Sequence, residues 1–271
     1  MKFKKLLSAA TAAVALAAAV PAFASPVYPT FTVNPANTGY GIGGTLSSFV
    51  ANDIGGGYNE ALTFTDATHF AVSLNFTASY FKLDNSPNQS VQYNANQSGL
   101  GGKYGLLATF LGTGHYAVGS GGSATFYLDT GSLNLLLDVG ANATFDALVD
   151  GNTLSTYTTG GDAVKSLGGG NATFGYGYET CTGGNLCGAF GQTVDLTLTT
   201  DGKNFFTAPA PFYSVALTSG QFEGVVVQAG TTAFSSGSAN TVFNTPEPSA
   251  LAMAGLALVA LGFARRRSNK A

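Results

Sequence analysis

Phe70-Ala71-Val72-Ser73-Leu74-Asn75-Phe76 puts four large apolar side chains at every second position, with a small or polar residue between each pair. A helix would scatter those four around its circumference, whereas a strand gathers them on one face. The same period recurs further along the chain. Tyr104, Leu106, Ala108 and Phe110 form a second face; Phe126 and Leu128, then Leu133, Leu135, Leu137 and Val139, form a third. Val194, Leu196 and Leu198 alternate with Thr193, Asp195, Thr197 and Thr199, and Tyr213, Val215 and Leu217 alternate with Phe212, Ser214, Ala216 and Thr218. Each run is expected as a strand with one buried and one wetter face, which leaves Ala71, Ser73 and Asn75 on the wetter side.

Between the runs stand clusters that read as turns: Gly55-Gly56-Gly57, Asp84-Asn85-Ser86-Pro87, Gly99 to Gly102, Gly119 to Gly122, Asp150-Gly151-Asn152 and Gly168-Gly169-Gly170. Many short strands separated by such turns give the expected fold class: all-β, a single antiparallel β-sandwich or jelly-roll-like domain over residues 25–244. A β-solenoid needs a short fixed repeat, and the sequence has none. An outer-membrane barrel needs an apolar lipid-facing side on every strand. Leu, Lys, Glu and Arg are too sparse here to build long amphipathic helices.

Charge divides the chain in three. Lys2, Lys4 and Lys5 precede the first apolar run, Arg265, Arg266, Arg267 and Lys270 follow the last, and four lysines lie between. Against those four stand thirteen acids in residues 25–245, a net of −9. An acidic body offers no basic patch for phosphates, so nucleic acid is excluded as a partner. The positive-inside rule would leave both basic ends in the cytoplasm and the body outside.

The body nominates no catalytic, cofactor-binding or metal site, and the expectation is that it is not an enzyme. His69 is expected on the polar face of its strand and His115 in a turn, both exposed. No serine stands in a G-x-S-x-G setting, and Glu60, Glu179 and Glu223 lie far apart with nothing to pair them. Asp146, Asp150, Asn152 and Asp162 are oxygen ligands a calcium ion would accept, but Asp and Asn also populate turns for local backbone bonding, and no D-x-D-x-D-G loop occurs. Extracellular polysaccharide is the one ligand class the composition suits. Tyr40, Tyr58, Tyr93, Tyr157, Tyr176 and Tyr178 are expected in loops, where their rings would stack on sugars. In Gly175-Tyr176-Gly177-Tyr178 the two rings are expected to splay to opposite faces rather than share a platform. Cys181 and Cys187 close a small Gly-containing loop, and an exported chain would hold them as a disulfide.

The two ends read as address labels. Residues 1–24 have a basic start, an Ala/Leu-rich run from Leu6 to Val20, and an A-x-A site at Ala22 and Ala24. This is the pattern of a signal-peptide helix that signal peptidase would cut to leave Ser25 first. Residues 245–271 open with Pro246-Glu247-Pro248, continue as the uncharged stretch Ser249–Ala264, and close on Arg265-Arg266-Arg267 as a cytoplasmic stop. The 16-residue stretch would span roughly 24 Å as a helix, short for a comfortable transmembrane segment. The two prolines hold the peptide before it extended and open to a processing enzyme.

This tail resembles the PEP-CTERM sorting signal of exported bacterial proteins. The resemblance implies an exosortase as processing partner, transient anchoring in the inner membrane, and delivery to the cell surface or beyond. Shorter pieces of the body are similar to the flocculation-associated subfamily of such proteins. They are Phe31-Thr32-Val33-Asn34-Pro35, Gly188-Ala189-Phe190-Gly191-Gln192-Thr193, Phe205-Phe206 to Phe212-Tyr213, and Ser219-Gly220-Gln221-Phe222-Glu223-Gly224. That likeness implies a structural role in aggregation or biofilm through exopolysaccharide and supplies no catalytic residue. The alternative is a secreted glycan-binding module, or a hydrolase, with the same address.

Overall fold

The computed structural model describes residues 28–42, 46–86, 89–119, 123–179, 186–223 and 225–244. Short strands β1 (Phe31–Val33) and β2 (Phe49–Ala51) flank a 3₁₀ turn at Pro35–Thr38. Then come β3 (Asp53–Phe64), β4 (His69–Ser86), β5 (Gln89–Tyr93), the helical turn α1 (Ala95–Ser98), β6 (Gly105–Val118) and β7 (Ala124–Asp138). The two-residue strands β8 (Thr144–Phe145) and β9 (Tyr157–Thr158) lead to β10 (Val164–Glu179), β11 (Leu186–Asp195) and β12 (Thr197–Leu198). Helix α2 (Thr200–Phe205), β13 (Phe206–Ala208), β14 (Val215–Glu223) and β15 (Thr232–Asn244) complete the chain.

The domain is all-β and antiparallel, as its alternation predicts, but the layer arrangement differs from a sandwich. Strands β3, β4, β6, β7, β10, β11, β14 and β15 each pair antiparallel with the next, and β15 pairs back onto β3 over ten residue pairs from Thr232↔Thr63 to Thr241↔Ile54. Eight strands in meander order close into a barrel, which removes the exposed edges a pair of stacked sheets would keep. The difference from a sandwich lies in the glycine clusters, two of which stand within strands rather than at their ends. Gly55-Gly56-Gly57 lies inside β3 and Gly168-Gly169-Gly170 inside β10, whereas Asp84 to Ser86 ends β4 where β5 pairs back from Ser86↔Gln89, as expected. Strands of 12 to 18 residues therefore run where pairs of short ones were expected.

The inward face carries the apolar set. Phe70, Val72, Leu74 and Phe76 of β4, Leu106 and Phe110 of β6, and Leu133, Leu135 and Leu137 of β7 belong to one buried cluster. An eight-stranded barrel is just wide enough for side chains to fill it. Here the rings find room over inward glycines: a Cβ on Gly131 would stand 2.3 Å from Cζ of Phe110, and one on Gly114 2.6 Å from Cζ of Phe70. On β14 the face differs from the expected one, because Ala216 joins the core and Val215 and Leu217 take the outer side.

Each end of the barrel is packed with rings. At one end the small sheet β13-β1-β2 lies across the opening, with Phe31 meeting Phe243 at 5.2 Å and Phe206 at 5.8 Å, both edge-on. At the other, Phe64 meets Tyr116 at 5.2 Å and Phe70 meets Phe126 at 5.7 Å.

The segment between β7 and β10 folds back over the outside of β3 and β4. The Gly151 N–H donates to Oγ1 of Thr63 at 2.8 Å, and Nδ2 of Asn75 donates to Oγ of Ser155 at 3.0 Å. Ala71, Ser73 and Asn75, expected on the wet side, are thereby buried to 2 % exposure or less. Elsewhere the outer positions are mostly polar, so the barrel is apolar within and polar without, the reverse of a membrane-spanning barrel. Among the described residues no helix is long and apolar enough to cross a membrane; Ser249–Ala264 lies outside them.

Candidate functional site

Two places on the barrel combine chemistry with access. The first is interior. β3 points Glu60 inward, directly across from Ser235 of β15, whose Oγ donates to Oε2 at 2.9 Å. Glu60 stands beside Leu62, Phe70, Phe126 and Phe190 around an unfilled space of about 80 Å³. Burial pushes its carboxyl up to about 6, and the Ser235 hydrogen bond offsets that in part. Gln192 of β11, buried to 9 % exposure, also borders this space and a second one of about 40 Å³ deeper in. Tyr58 is interior too, 2 % exposed, its hydroxyl donating to the Gln221 carbonyl at 2.8 Å, which removes it from the loop rings.

The second place is exterior. His69 on β4 pairs in register with His115 on β6, His115 with Tyr127 on β7, and Tyr127 with Tyr176 on β10. One row of cross-strand neighbours therefore carries rings over four strands. His115 stacks on Tyr127 at 5.0 Å and 17°, Tyr127 meets Tyr176 at 5.6 Å, and Tyr176 meets Tyr178 at 6.3 Å. Tyr127, Tyr176 and Tyr178 are each about 40 % exposed. Carboxylates flank the row: Asp129 bonds Nδ1 of His115 at 2.8 Å, and Asp66 bonds Nδ1 of His69 at 3.0 Å. The Thr68 amide, then His69, hold the Asp66 carboxyl down to about 2.

Two expectations are corrected here. His115 sits within a strand, not a turn. Tyr176 and Tyr178 share the outer face, because residues two apart in a strand point the same way. Tyr93 and Tyr157 also lie in strands, and Tyr40 donates its hydroxyl to Oδ2 of Asp201 at 2.7 Å.

The carboxylates weighed for calcium serve local turns. Asp146 accepts from Thr156 and Thr158, Asp150 from the Asn152 and Thr153 amides, and Asp162 from Asn142. Among the described residues no three His, Cys, Asp or Glu side chains gather as a cation site. Ala22, Ala24, Ser25, Pro246, Glu247, Pro248, Arg265, Arg266, Arg267 and Cys181 lie outside the described residues, as does the side chain of Cys187 on β11.

Neither Glu60 nor Tyr127 stands out from composition. Their partners Ser235 and Tyr176 become neighbours only when strand register is known.

The barrel thus defines a class: an all-β domain that buries its apolar side chains within and presents polar and aromatic ones outside. Residues 244–268 match the PEP-CTERM protein-sorting motif, so the chain carries that signal, beginning at the last residue of β15. The motif supports an exosortase-sorted protein delivered to the cell surface or extracellular space. No curated protein and no solved structure matches the chain.

Proposed function

We propose that the barrel is a structural, non-enzymatic component of the cell surface or extracellular matrix, acting in exopolysaccharide-dependent flocculation or biofilm formation. The sorting motif at residues 244–268 carries this reading, since it directs the domain to the compartment where such matrix is assembled. Transit would run through signal peptidase at Ala22–Ala24, a transient hold in the inner membrane, and an exosortase acting near Pro246-Glu247-Pro248. The similarity of Phe31–Pro35 and the Gly188–Thr193 run to flocculation-associated proteins supports the finer role. The test is the source strain with residues 245–271 deleted from the chromosomal copy. The expected result is loss of the protein from the matrix together with slower settling of flocs. Unchanged settling despite loss of the protein from the matrix would overturn the structural role.

A second reading has its own observation. The exposed row His115, Tyr127, Tyr176 and Tyr178, edged by Asp129, offers ring faces and edges for stacking and a carboxylate for hydroxyl groups, which together are what a sugar chain requires. It favours direct contact with polysaccharide over passive embedding.

A further inference from the structure

The interior of the barrel has a polar provision that core packing does not explain. A carboxylate turned toward an apolar interior is costly without an ion pair. Glu60, half-buried, nevertheless faces Leu62, Phe70 and Phe126, with the Ser235 hydroxyl on one oxygen and no cation beside it among the described residues. Gln192 is the second polar group of the interior, 9 % exposed. Both groups border the same empty space. That space and the deeper one share Leu74, Phe190 and Gln192 as their common wall, so the void is elongated with a polar group at its waist and another in its first lobe. An apolar pocket with a few converging polar groups is the usual form of a small-ligand site.

We propose that the barrel interior binds a slim, single-chain amphiphile whose polar end is a hydrogen-bond donor, a hydroxyl or an amine, with that end on Glu60 and the chain running past Gln192 toward Leu106 and Leu135. The walls supply burial of the chain. The charge pattern selects the head. Glu60 is the sole carboxylate among the described residues lining either lobe, so an amine or hydroxyl gains an acceptor there. A carboxylate head would instead place two negative groups together at low dielectric, which is disfavoured. The Gln192 amide offers both a donor and an acceptor to any ether or amide oxygen along the chain. This site does not depend on the matrix role, although Tyr176 of the ring row also borders it.

The test uses the mature protein recovered from cells, titrated calorimetrically with octan-1-ol, octylamine and octanoate in turn, at a pH well above 6, where Glu60 is ionised. The expected order is binding of the amine and the alcohol, with octanoate weaker by about tenfold or more. Glu60→Gln should abolish that preference by head group while leaving octanol binding. Leu74→Trp, which fills the waist, should remove binding by all three, and Ala108→Leu serves the same purpose should Leu74→Trp fail to fold. Failure of all three to bind, equal binding of octanoate and octanol by the native protein, or binding that survives both fillers would each overturn the proposal.

Discussion

Glu60 and Asp53 act in the same direction on stability. Desolvation raises Glu60 from 4.5 to about 6 and Asp53 from 3.8 to about 6, Lys82 opposing the latter. A carboxyl raised in the folded state holds its proton there after the unfolded chain has released it. Stability therefore falls as pH rises from about 4 to about 6, and the loss is complete above 6. Asp66, held down to about 2, works at the acid flank: its contribution is present above 3.8 and is lost as pH falls toward 2. The melting temperature should thus peak near pH 4 rather than at neutrality. Glu60→Gln should flatten the upper limb and add up to about 2 kcal/mol above pH 6, less whatever solvent screening removes. A thermal scan across pH checks both statements. A substituted chain whose curve runs parallel to the native one would show that Glu60 is not the group responsible.

Glycine is the residue type the sequence hides best. In isolation Gly-Gly-Gly signals a turn, and only a partner strand shows whether it marks close approach instead. At Gly114 a Cβ would lie 2.1 Å from the Tyr127 carbonyl oxygen of the paired strand, which cannot move aside, as well as 2.6 Å from the Phe70 ring. Gly114→Ala should cost about 1–3 kcal/mol, readable as a lowered denaturation midpoint with an unchanged slope. No destabilisation would mean that the β6–β7 register yields more easily than its hydrogen bonds imply.

At the scale of elements, inward faces were legible and strand ends were not. Phe70 to Phe76, Leu106 to Phe110 and Leu133 to Leu137 all face the core as their period predicts, because burial enforces the alternation. Val215 and Leu217 do not, since β14 buries its smaller residue, Ala216. Nor could period reveal that the segment carrying Gly151 and Ser155 covers Ala71, Ser73 and Asn75. That contact joins Asn75 to a residue 80 positions away. The ring row is an element-scale feature in the same sense, assembled from β6, β7 and β10 by register alone. Its rings stabilise one another by fractions of a kcal/mol per cross-strand pair, so a stability loss of about 1–2 kcal/mol is expected when Tyr127, Tyr176 and Tyr178 are all changed to Ala. Passive packing ends there. A sugar platform predicts more: retention on a column of the source organism's own exopolysaccharide should fall about tenfold or further for the triple variant. The single changes should fall in between. Equal retention of native and triple-variant protein would leave the row a packing device.

At the scale of the whole molecule, the closing contact lies between the two ends of the barrel sequence. β15 pairs with β3 over ten residues, and its Phe243 packs on Phe31 and Phe206 in the plug, one residue before the sorting motif begins at Asn244. Tyr28 leaves from the same end, its carbonyl accepting from Nδ2 of Asn52. A chain held by its tail would therefore keep the plugged end toward the membrane and turn the Phe64–Tyr116 end away. The same geometry constrains processing. A cut beyond Asn244 spares every barrel pairing, whereas a cut inside β15 would strip the strand that closes the barrel, carry off Phe243 and uncover Phe31, which is 1 % exposed in the intact fold. The intact mass of the protein from cell surface and medium should accordingly lack residues 1–24 and everything past the Pro246-Glu247-Pro248 region. The same species should melt in one transition at the temperature of a chain ending at Thr245. Surplus mass would report an attached group at the new end. A mass that still includes Leu251 to Ala271 would make the tail a plain anchor, and a mature end before Asn244 would mean that closure by β15 is dispensable to the folded protein.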